Sequence, residues 1–252
     1  MEPIRQLVHE YRVRFDEADA DGRLRPSGLL RYAQDMAWRH SEEAGFARDW
    51  YAGRGMNWLV RNVQAWVKGP ITYGDRLAVS TQVVGWRHVW ARRQSEIRRN
   101  DSEGRVTESA LVATVDTDWV LLTDEGRPAR VPADVAAYFG PVVPFARERV
   151  TLPKPTGPVT TLSTRVRPLD VDPMRHMNSA AYLDMVDDGL ARMPEATGFG
   201  APDCYHVGYV APALPCALLD IRCWSVSSSQ IACRISDGDG VELARALARR
   251  SG

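Results

Sequence analysis

An internal repeat constrains the fold of this 252-residue chain more than any other feature of its sequence. At one constant offset, two patterns superpose: Asp19-x-x-x-Arg23-x-Arg25-x-x-x-Leu29 and Asp172-x-x-x-His176-x-Asn178-x-x-x-Tyr182. Further along each half, Pro70 aligns with Pro212 inside two similar segments. A repeat of this size predicts two equivalent folding units that arose by duplication. Chance similarity between two unrelated halves is the alternative.

The two halves also have the same predicted order of elements. In the first half, residues 27–44 carry apolar side chains at helical spacing, and near-alternating strands follow at 57–68, 76–84, 89–98 and 105–122. In the second half, a strand at 161–171 precedes a helix at 179–193, and strands follow at 205–210, 217–225, 230–236 and 241–249. Each half therefore predicts one helix on a curved antiparallel sheet, which is an α+β layout.

A proline-rich segment separates the two halves. Six prolines lie within 27 residues: Pro132, Pro141, Pro144, Pro153, Pro155 and Pro158. Hydrophobic periodicity is lost over the same stretch, which is typical of a linker. We therefore predict an N-terminal domain at residues 1–132, a linker at 133–158 and a C-terminal domain at 159–252.

Composition excludes several classes of protein. Lys and Arg together number 32, as do Asp and Glu, so there is no positive field for general nucleic-acid binding. No apolar run approaches the roughly 20 residues of a membrane helix, and no secretory signal is visible, so we expect no membrane span and a cytoplasmic location. Neither a metal nor a cofactor is expected, because the four cysteines lack ligand spacing and read as small buried side chains: Cys204, Cys216, Cys223 and Cys233.

The two copies of the repeat differ in their chemistry. The second copy offers an acid, an imidazole, an amide and a phenol, whereas the first offers an acid beside two guanidinium groups. Guanidinium groups cannot exchange protons near neutral pH. We therefore predict that the active site lies in the second half.

The second copy suits hydrolysis at a carbonyl carbon. Asp172 can act as general base or nucleophile. His176 can orient that carboxylate or a water molecule, or donate to the carbonyl, and Asn178 with free backbone N–H groups at the helix start can polarise it. Simpler roles remain open: Asn178 as a helix cap, Asp172 as a turn residue and Tyr182 as a core residue.

The same residues carry a resemblance to a known family. Asp170, Asp172, His176, Asn178 and Tyr182 resemble the D-x-D-x-x-x-H-x-N-x-x-x-Y signature of hotdog-fold thioesterases. Over roughly residues 8–250, the chain is similar to acyl-[acyl-carrier-protein] thioesterases, which are tandem hotdog enzymes. The resemblance implies a catalytic C-terminal hotdog with Asp172, His176 and Asn178, and an N-terminal hotdog that shapes the acyl-chain pocket.

Two departures from that family concern its catalytic groups. Met174 stands where the plant members have an asparagine, two residues before the histidine. The stretch Tyr209-Val-Ala-Pro-Ala213 stands where they have a Glu-Cys pair. The roles of those side chains are not carried over, and Cys216, which lies nearby in sequence, is not assigned as a nucleophile.

The implied function is hydrolysis of fatty-acyl or related thioesters of acyl carrier protein to free acid and holo-carrier protein. An acyl-coenzyme A thioesterase and a non-catalytic acyl-binding hotdog protein are the alternatives. The acidic carrier protein would need a basic docking patch, for which the candidates are Arg87, Arg92, Arg93, Arg98 and Arg99. The chain can be a monomer or a homodimer, because the repeat can supply its own two-fold pair.

Overall fold

The computed structural model describes residues 5–100, 106–140, 145–194 and 199–250. The chain forms two compact units, one made of residues 1–61 and 68–147 and the other of residues 62–67 and 148–252. The division after Arg147 falls inside the segment that the sequence predicts as a linker.

The first unit is an antiparallel sheet with a long helix packed on it. Its elements are β1 (Gln6–Arg12), a 3₁₀ turn (Phe15–Glu17), α1 (Pro26–Glu43), α2 (Arg48–Ala52), β2 (Met56–Val67), β3 (Arg76–Arg87), β4 (Trp90–Asn100), β5 (Val106–Thr123) and α3 (Ala133–Phe139). The strands are ordered β1-β3-β4-β5-β2, and residues 62–67 of β2 belong to the second unit.

Helix α1 occupies the region predicted from its hydrophobic spacing. Pro26 suits the first turn because the N–H that it lacks would have no partner inside the helix, and Gly45 ends the helix with a φ of 82°. Leu29, Ala33 and Met36 face the sheet and are at most 5% exposed. Within the described ranges, no helix is long and apolar enough to cross a membrane.

The second unit repeats this arrangement. Its elements are β6 (Thr160–Arg165), a 3₁₀ turn (Pro168–Asp170), α4 (Ala181–Ala191), β7 (Cys204–Tyr209), β8 (Leu218–Ser227), β9 (Gln230–Asp237) and β10 (Glu242–Arg249). The strand order is β2-β7-β10-β9-β8-β6, in which residues 62–66 of β2 pair with β7. The predicted α+β layout with two helix-on-sheet units is confirmed.

Helix α4 lies close to its sheet because of one glycine. A Cβ on Gly189 would lie 2.6 Å from the Cys223 sulfur and 3.4 Å from a methyl group of Ile221. Leu183 and Val186 are fully buried on the same side of the helix. Gly189 therefore sets the distance at which α4 packs on β8.

The predicted linker contains ordered structure, which corrects the expectation of an irregular segment. Residues 133–139 form α3, whose Val135 and Phe139 are buried in an aromatic cluster of the first unit. In the second unit, Val150 packs with Trp224, and the indole N–H of Trp224 donates to the Pro153 carbonyl at 3.2 Å. Val135 and Phe139 have the i, i+4 spacing of a helix face, and the surrounding prolines obscured this short pattern. Pro141 and Pro144 lie outside the described residues.

The repeat is visible in matching backbone hydrogen bonds. The Asp19 N–H donates to the Arg23 carbonyl at 2.8 Å, and the Asp172 N–H donates to the His176 carbonyl at 3.0 Å. One residue after each tight turn, the Leu24 N–H donates to the Ile71 carbonyl at 2.8 Å and the Met177 N–H to the Ala213 carbonyl at 2.9 Å. The two halves therefore form the same turn at the positions that the sequence repeat aligns.

Candidate active site

The predicted catalytic residues lie on one tight loop between the second 3₁₀ turn and α4. Val171 and Met177 form an isolated bridge across the loop, and the Arg175 N–H donates to the Asp172 carbonyl at 2.9 Å. At the base of the loop, the buried Asp170 carboxylate accepts two guanidinium hydrogen bonds from Arg167, at 2.8 and 2.9 Å. The backbone of the loop is therefore held by these contacts, independently of its reactive side chains.

The structure brings Asp172 and His176 together. The Asp172 Oδ1 accepts the Met174 N–H at 2.8 Å, which fixes the carboxylate. The His176 Nδ1 lies 3.7 Å from the same Oδ1, which is a close approach but longer than a hydrogen bond, and 3.3 Å from the Met177 carbonyl oxygen. Within the described part of the chain, the second carboxylate oxygen of Asp172 has no hydrogen-bond partner, so it can accept a proton from water.

Asn178 is fixed by the turn that precedes α4. Its Oδ1 accepts the Ala180 N–H at 2.9 Å, so the Nδ2 group is the end of the amide that remains to donate. This bond to the N–H two residues on is of the kind that an N-cap side chain makes, just ahead of α4, which begins at Ala181. The loop thus adds a side-chain donor to the carboxylate and the imidazole.

Three of the backbone donors expected to be free near the helix start already have acceptors. Besides the Ala180 N–H, the Ala181 N–H donates to the Asn178 carbonyl at 2.9 Å, and the Leu183 N–H donates to the Ala180 carbonyl at 3.0 Å. The prediction that these N–H groups polarise a carbonyl is wrong for these three, because the turn ahead of the helix supplies their acceptors. Asn178 Nδ2 and His176 are the side-chain groups of the loop that can still donate to a carbonyl oxygen.

Two tyrosines, Tyr182 on α4 and Tyr209 on β7, pack next to the loop and hydrogen-bond to the backbone around it. The buried Tyr182 hydroxyl accepts the Ala213 N–H at 3.0 Å, and its ring meets that of Tyr209 edge to face at 5.3 Å. The Tyr209 hydroxyl donates to the Ser179 carbonyl at 2.7 Å. Burial, with a smaller contribution from the Asp172 charge, raises the pKa of Tyr182 to about 12, so this phenol stays protonated near neutral pH. Tyr182 is a core support, whereas the role of Tyr209 had no distinct signal in the sequence.

Backbone groups occupy the place where plant relatives have the Glu-Cys pair. Ala213 is 1% exposed, and it uses its N–H on Tyr182 and its carbonyl on Met177. Cys204, Cys223 and Cys233 are buried as predicted, but the prediction is wrong for Cys216, which is exposed and has a φ of 64°. The segment after β7 therefore holds the loop in place through its main chain.

The equivalent loop of the first unit lacks this set of groups. Asp19 Oδ1 accepts two backbone N–H groups, from Asp21 at 2.9 Å and from Arg23 at 2.8 Å. The Arg25 guanidinium donates to the Asp16 carbonyl at 3.0 Å, and Leu29 is buried in the core. This loop has an equivalent turn, but the groups on it that can exchange protons are the carboxylates of Asp19 and Asp21 alone, with no imidazole beside them.

The five arginines predicted to form a basic docking patch are not all exposed, and three of them are paired with acidic side chains. Arg92 binds Asp118 through two hydrogen bonds, of 2.6 and 2.9 Å, and Arg98 and Arg99 form ion pairs with acidic neighbours. Arg93 is only 8% exposed, because β4 alternates and places it on the buried face with Ile97. Of the five candidates, Arg87 lies exposed at the end of β3.

Two helix-on-sheet repeats with an acid, a histidine and an asparagine on one loop define the class of tandem hotdog thioesterases. A family model described as the acyl-ACP thioesterase N-terminal domain matches residues 5–139, which is more than half of the chain. The chain therefore belongs to the acyl-ACP thioesterase family, and the predicted thioester hydrolase class is confirmed.

Solved structures share the fold over nearly the whole chain. An acyl-ACP thioesterase from Bacteroides thetaiotaomicron is 16% identical, with a TM-score of 0.79 and 97% of each chain covered. The 12:0-ACP thioesterase from Umbellularia californica is 18% identical, with a TM-score of 0.79 and coverage of 97% of this chain and 96% of the other. The predicted tandem hotdog fold is thus confirmed. No curated protein matches the sequence.

Proposed function

We propose that this chain hydrolyses acyl thioesters of acyl carrier protein, with Asp172, His176 and Asn178 as its catalytic residues. The observation that supports the proposal is that these three side chains lie together and keep atoms available for the reaction. Asp172, His176 and Asn178 lie within seven residues on one braced loop, and each keeps a reactive atom without a partner among the described residues. Membership of the acyl-ACP thioesterase family supports the carrier protein as the source of the thioester.

Asp172 activates the attacking water. Its free carboxylate oxygen accepts a proton as the water oxygen bonds to the thioester carbon. When the tetrahedral intermediate collapses, the carbon–sulfur bond breaks and the proton passes to the departing thiolate. One water and one thioester therefore give one carboxylic acid and one thiol.

Asn178 stabilises the thioester carbonyl oxygen, and His176 orients the general base, Asp172. The Asn178 Nδ2 group donates to the carbonyl oxygen as negative charge develops on it, a contribution of about 100-fold or more in rate for a single donor. His176, with its Nδ1 3.7 Å from Asp172, orients the carboxylate and the water. Met174 contributes only its backbone N–H, so this set is smaller than that of the plant relatives.

Acyl-coenzyme A is the second candidate substrate. The ion pairs of Arg92, Arg98 and Arg99 neutralise the surface on which an acidic carrier protein was expected to dock. Without that surface, the argument for a protein-borne thiol rests on family membership. Coenzyme A carries the same phosphopantetheine thioester and needs no protein docking surface.

The test compares one acyl chain on the two carriers. Octanoyl-carrier protein and octanoyl-coenzyme A are incubated with the wild-type chain and with Asp172→Asn, and free octanoate is measured. We expect a higher kcat/KM for the carrier protein and loss of both activities in Asp172→Asn. Asp188→Asn is a matched control, since Asp188 forms a surface ion pair with Arg192 on α4. A higher kcat/KM for coenzyme A would select the second candidate, and an undiminished rate in Asp172→Asn would reject the assigned site.

A further inference from the structure

Two turns of the second unit hold side chains in a backbone conformation that favours glycine. Arg175 has a φ of 63° and Cys216 has a φ of 64°. At the equivalent positions, the first unit has Gly22, with a φ of 77°, and Gly74, with a φ of 87°. A side chain in this left-handed region strains the backbone, and such strain is concentrated at active sites and ligand clamps. The second unit therefore keeps strain at two turns where the first unit avoids it.

Arg175 lies at the tip of the catalytic loop. Its N–H donates to the Asp172 carbonyl at 2.9 Å, and the Asp172 N–H donates to the His176 carbonyl at 3.0 Å. These bonds close a tight turn of the kind whose last residue is left-handed and is usually glycine. The side chain of Arg175 therefore begins between Asp172 and His176 in the sequence of the turn, and it is exposed to solvent.

The guanidinium of Arg175 has no hydrogen-bond or ion-pair partner among the described residues. The other arginines on the segment before the loop do have partners. Arg167 binds the buried Asp170 carboxylate at 2.8 and 2.9 Å, and Arg165 donates to the Cys216 carbonyl at 3.1 Å. Within the described part of the chain, Arg175 therefore makes no polar contact that offsets the strain of its backbone.

An exposed guanidinium at this place matches one chemical group of the proposed substrates. Acyl-carrier protein and acyl-coenzyme A both hold the acyl group on a phosphopantetheine arm, which has the thioester at one end and a phosphate at the other. When the thioester carbon lies beside Asp172, the rest of the arm has to leave through the exposed side of the loop. Guanidinium groups bind phosphate oxygens through two parallel hydrogen bonds. The cation of Arg175 therefore suits the phosphate of an arm that leaves the loop.

We propose that Arg175 binds the phosphate of the phosphopantetheine arm and thereby favours substrates that carry it. The inference rests on the proposed function, because it assigns a further residue to the same reaction. The phosphate is remote from the reacting carbon, so this contact is as strong in the bound substrate as in the transition state. Loss of such a contact raises KM and leaves kcat unchanged. The carrier-bound arm and coenzyme A are the two sources of the phosphate.

The first arm of the test compares substrates with and without the phosphate. KM is measured for octanoyl-phosphopantetheine and octanoyl-pantetheine, with the wild-type chain and with Arg175→Gln. We expect the phosphate to lower KM by about three- to tenfold in the wild type, the effect of one charge-assisted contact at an exposed site, and to have no effect in Arg175→Gln. A general change in the loop cancels from this ratio of two substrates. A similar ratio in the two chains would overturn the proposal.

Two glycine substitutions separate phosphate binding from backbone strain. Arg175→Gly and Cys216→Gly each remove a side chain from a left-handed residue, so we expect both to raise thermal stability. Arg175→Gly also removes the cation and should lose the phosphate preference, whereas the matched control Cys216→Gly should keep it. Loss of the preference in both variants would attribute it to the backbone and would contradict a role for the guanidinium.

The second arm measures binding without hydrolysis, which separates the inference from the proposed function. S-octyl-phosphopantetheine and S-octyl-pantetheine, thioethers that cannot be hydrolysed, are titrated into the full chain by isothermal titration calorimetry. Tighter binding of the phosphorylated thioether, abolished in Arg175→Gln, would support the site even if no thioester were hydrolysed. Equal affinity of the wild-type chain for the two thioethers would overturn it even in an active enzyme.

The third arm identifies the source of the phosphate. KM is measured for octanoyl-carrier protein and octanoyl-coenzyme A with the wild-type chain and with Arg175→Gln. A rise in KM for octanoyl-carrier protein would assign the contact to the carrier-bound arm, and a rise confined to octanoyl-coenzyme A would assign it to coenzyme A. An unchanged KM for both substrates would overturn the proposal.

Discussion

The loops at 19–25 and 172–178 share one backbone conformation and differ in the side chains that it presents. In the first unit, the Asp19 carboxylate is exposed, accepts two backbone N–H groups and is followed by two arginines. In the second unit, the Asp172 side chain is only 17% exposed, accepts one backbone N–H and lies beside an imidazole. Both carboxylates keep their second oxygen without a hydrogen-bond partner among the described residues, so the two loops differ in burial and in the side chains beside the acid, which are two guanidinium groups in the first and an imidazole and an amide in the second.

The two units also differ in whether their buried polar side chains have hydrogen-bond partners. In the second unit, the buried polar groups next to the loop are matched, as Tyr182 is with Ala213. In the first unit, the buried indole N–H of Trp119 has no hydrogen-bond partner among the described residues, whereas the buried Arg93 donates to His40 and Ser41. The first unit therefore leaves a buried donor unsatisfied, whereas Tyr182 beside the second loop is paired.

Removal of the carbonyl-polarising donor is expected to have the largest effect among the supporting residues. Asn178→Ala deletes the Nδ2 donor and should lower kcat by about 100-fold with a smaller change in KM, since the donor acts on charge that develops in the transition state. The equivalent change in the first unit, Arg25→Ala, should leave kcat within about twofold. Steady-state kinetics on one acyl thioester measure both, and similar losses in the two variants would contradict the assignment of chemistry to the second loop.

A substitution that gives the second loop one residue of the first tests whether the histidine accounts for the difference between them. His176→Arg replaces the imidazole with the guanidinium that stands at the equivalent position, Arg23. We expect kcat to fall by about tenfold or more, because the guanidinium pairs with Asp172 and cannot exchange protons near neutral pH. Should His176→Arg and the milder His176→Gln both keep wild-type kcat, the histidine would have no part in catalysis.

The packing of α4 predicts a loss of stability. Gly189→Ala places a methyl group 2.6 Å from the Cys223 sulfur, so the helix or the strand must shift. Overpacking of this kind costs about 1–3 kcal/mol of the free energy of unfolding. Denaturant titration measures the change, and Cys223→Ala in the same background should restore part of the loss because it removes the clashing sulfur. A fully stable single variant would show that α4 does not lie as close to β8 as described.

The smallest expected effect concerns backbone strain in the two loops. Gly22 and Arg175 occupy equivalent positions with φ values of 77° and 63°. A side chain in this left-handed region costs about 1 kcal/mol, so Arg175→Gly should raise the free energy of unfolding by up to that amount, and Gly22→Ala should lower it by a similar amount. Opposite signs in the two variants are the expected result, and equal signs would show that the two turns are not equivalent.

Much of the fold and of the site follows from the sequence because both depend on regular spacing. The 3.6-residue period predicts α1. The constant offset between the halves predicts that Asp172, His176 and Asn178 stand at the positions equivalent to Asp19, Arg23 and Arg25. The inward position of Arg93 could also have been predicted, because it shares the period-2 face of β4 with Ala91, Ser95 and Ile97. The helix α3 was missed because its two anchoring residues form too short a pattern among prolines.

Other features depend on three-dimensional detail that residue spacing does not encode. The acceptors of the Ala180 and Ala181 N–H groups both belong to Asn178, through a turn that a sequence pattern does not distinguish from a helix start. The ion pair of Arg92 with Asp118 joins residues on neighbouring strands, and it depends on a register that the sequence leaves open. These contacts decide which donors and which charges remain available to a ligand.

The central claim is that the second loop performs the hydrolysis and the first does not, and paired carboxamide substitutions test it most directly. Single-turnover hydrolysis of one acyl-carrier protein is measured for Asp172→Asn and Asp19→Asn, each nearly isosteric with the residue that it replaces. Loss of a general base predicts a rate lower by about 100- to 10,000-fold for Asp172→Asn, with Asp19→Asn within about twofold of wild type. A large loss in Asp19→Asn, or a wild-type rate in Asp172→Asn, would contradict the claim.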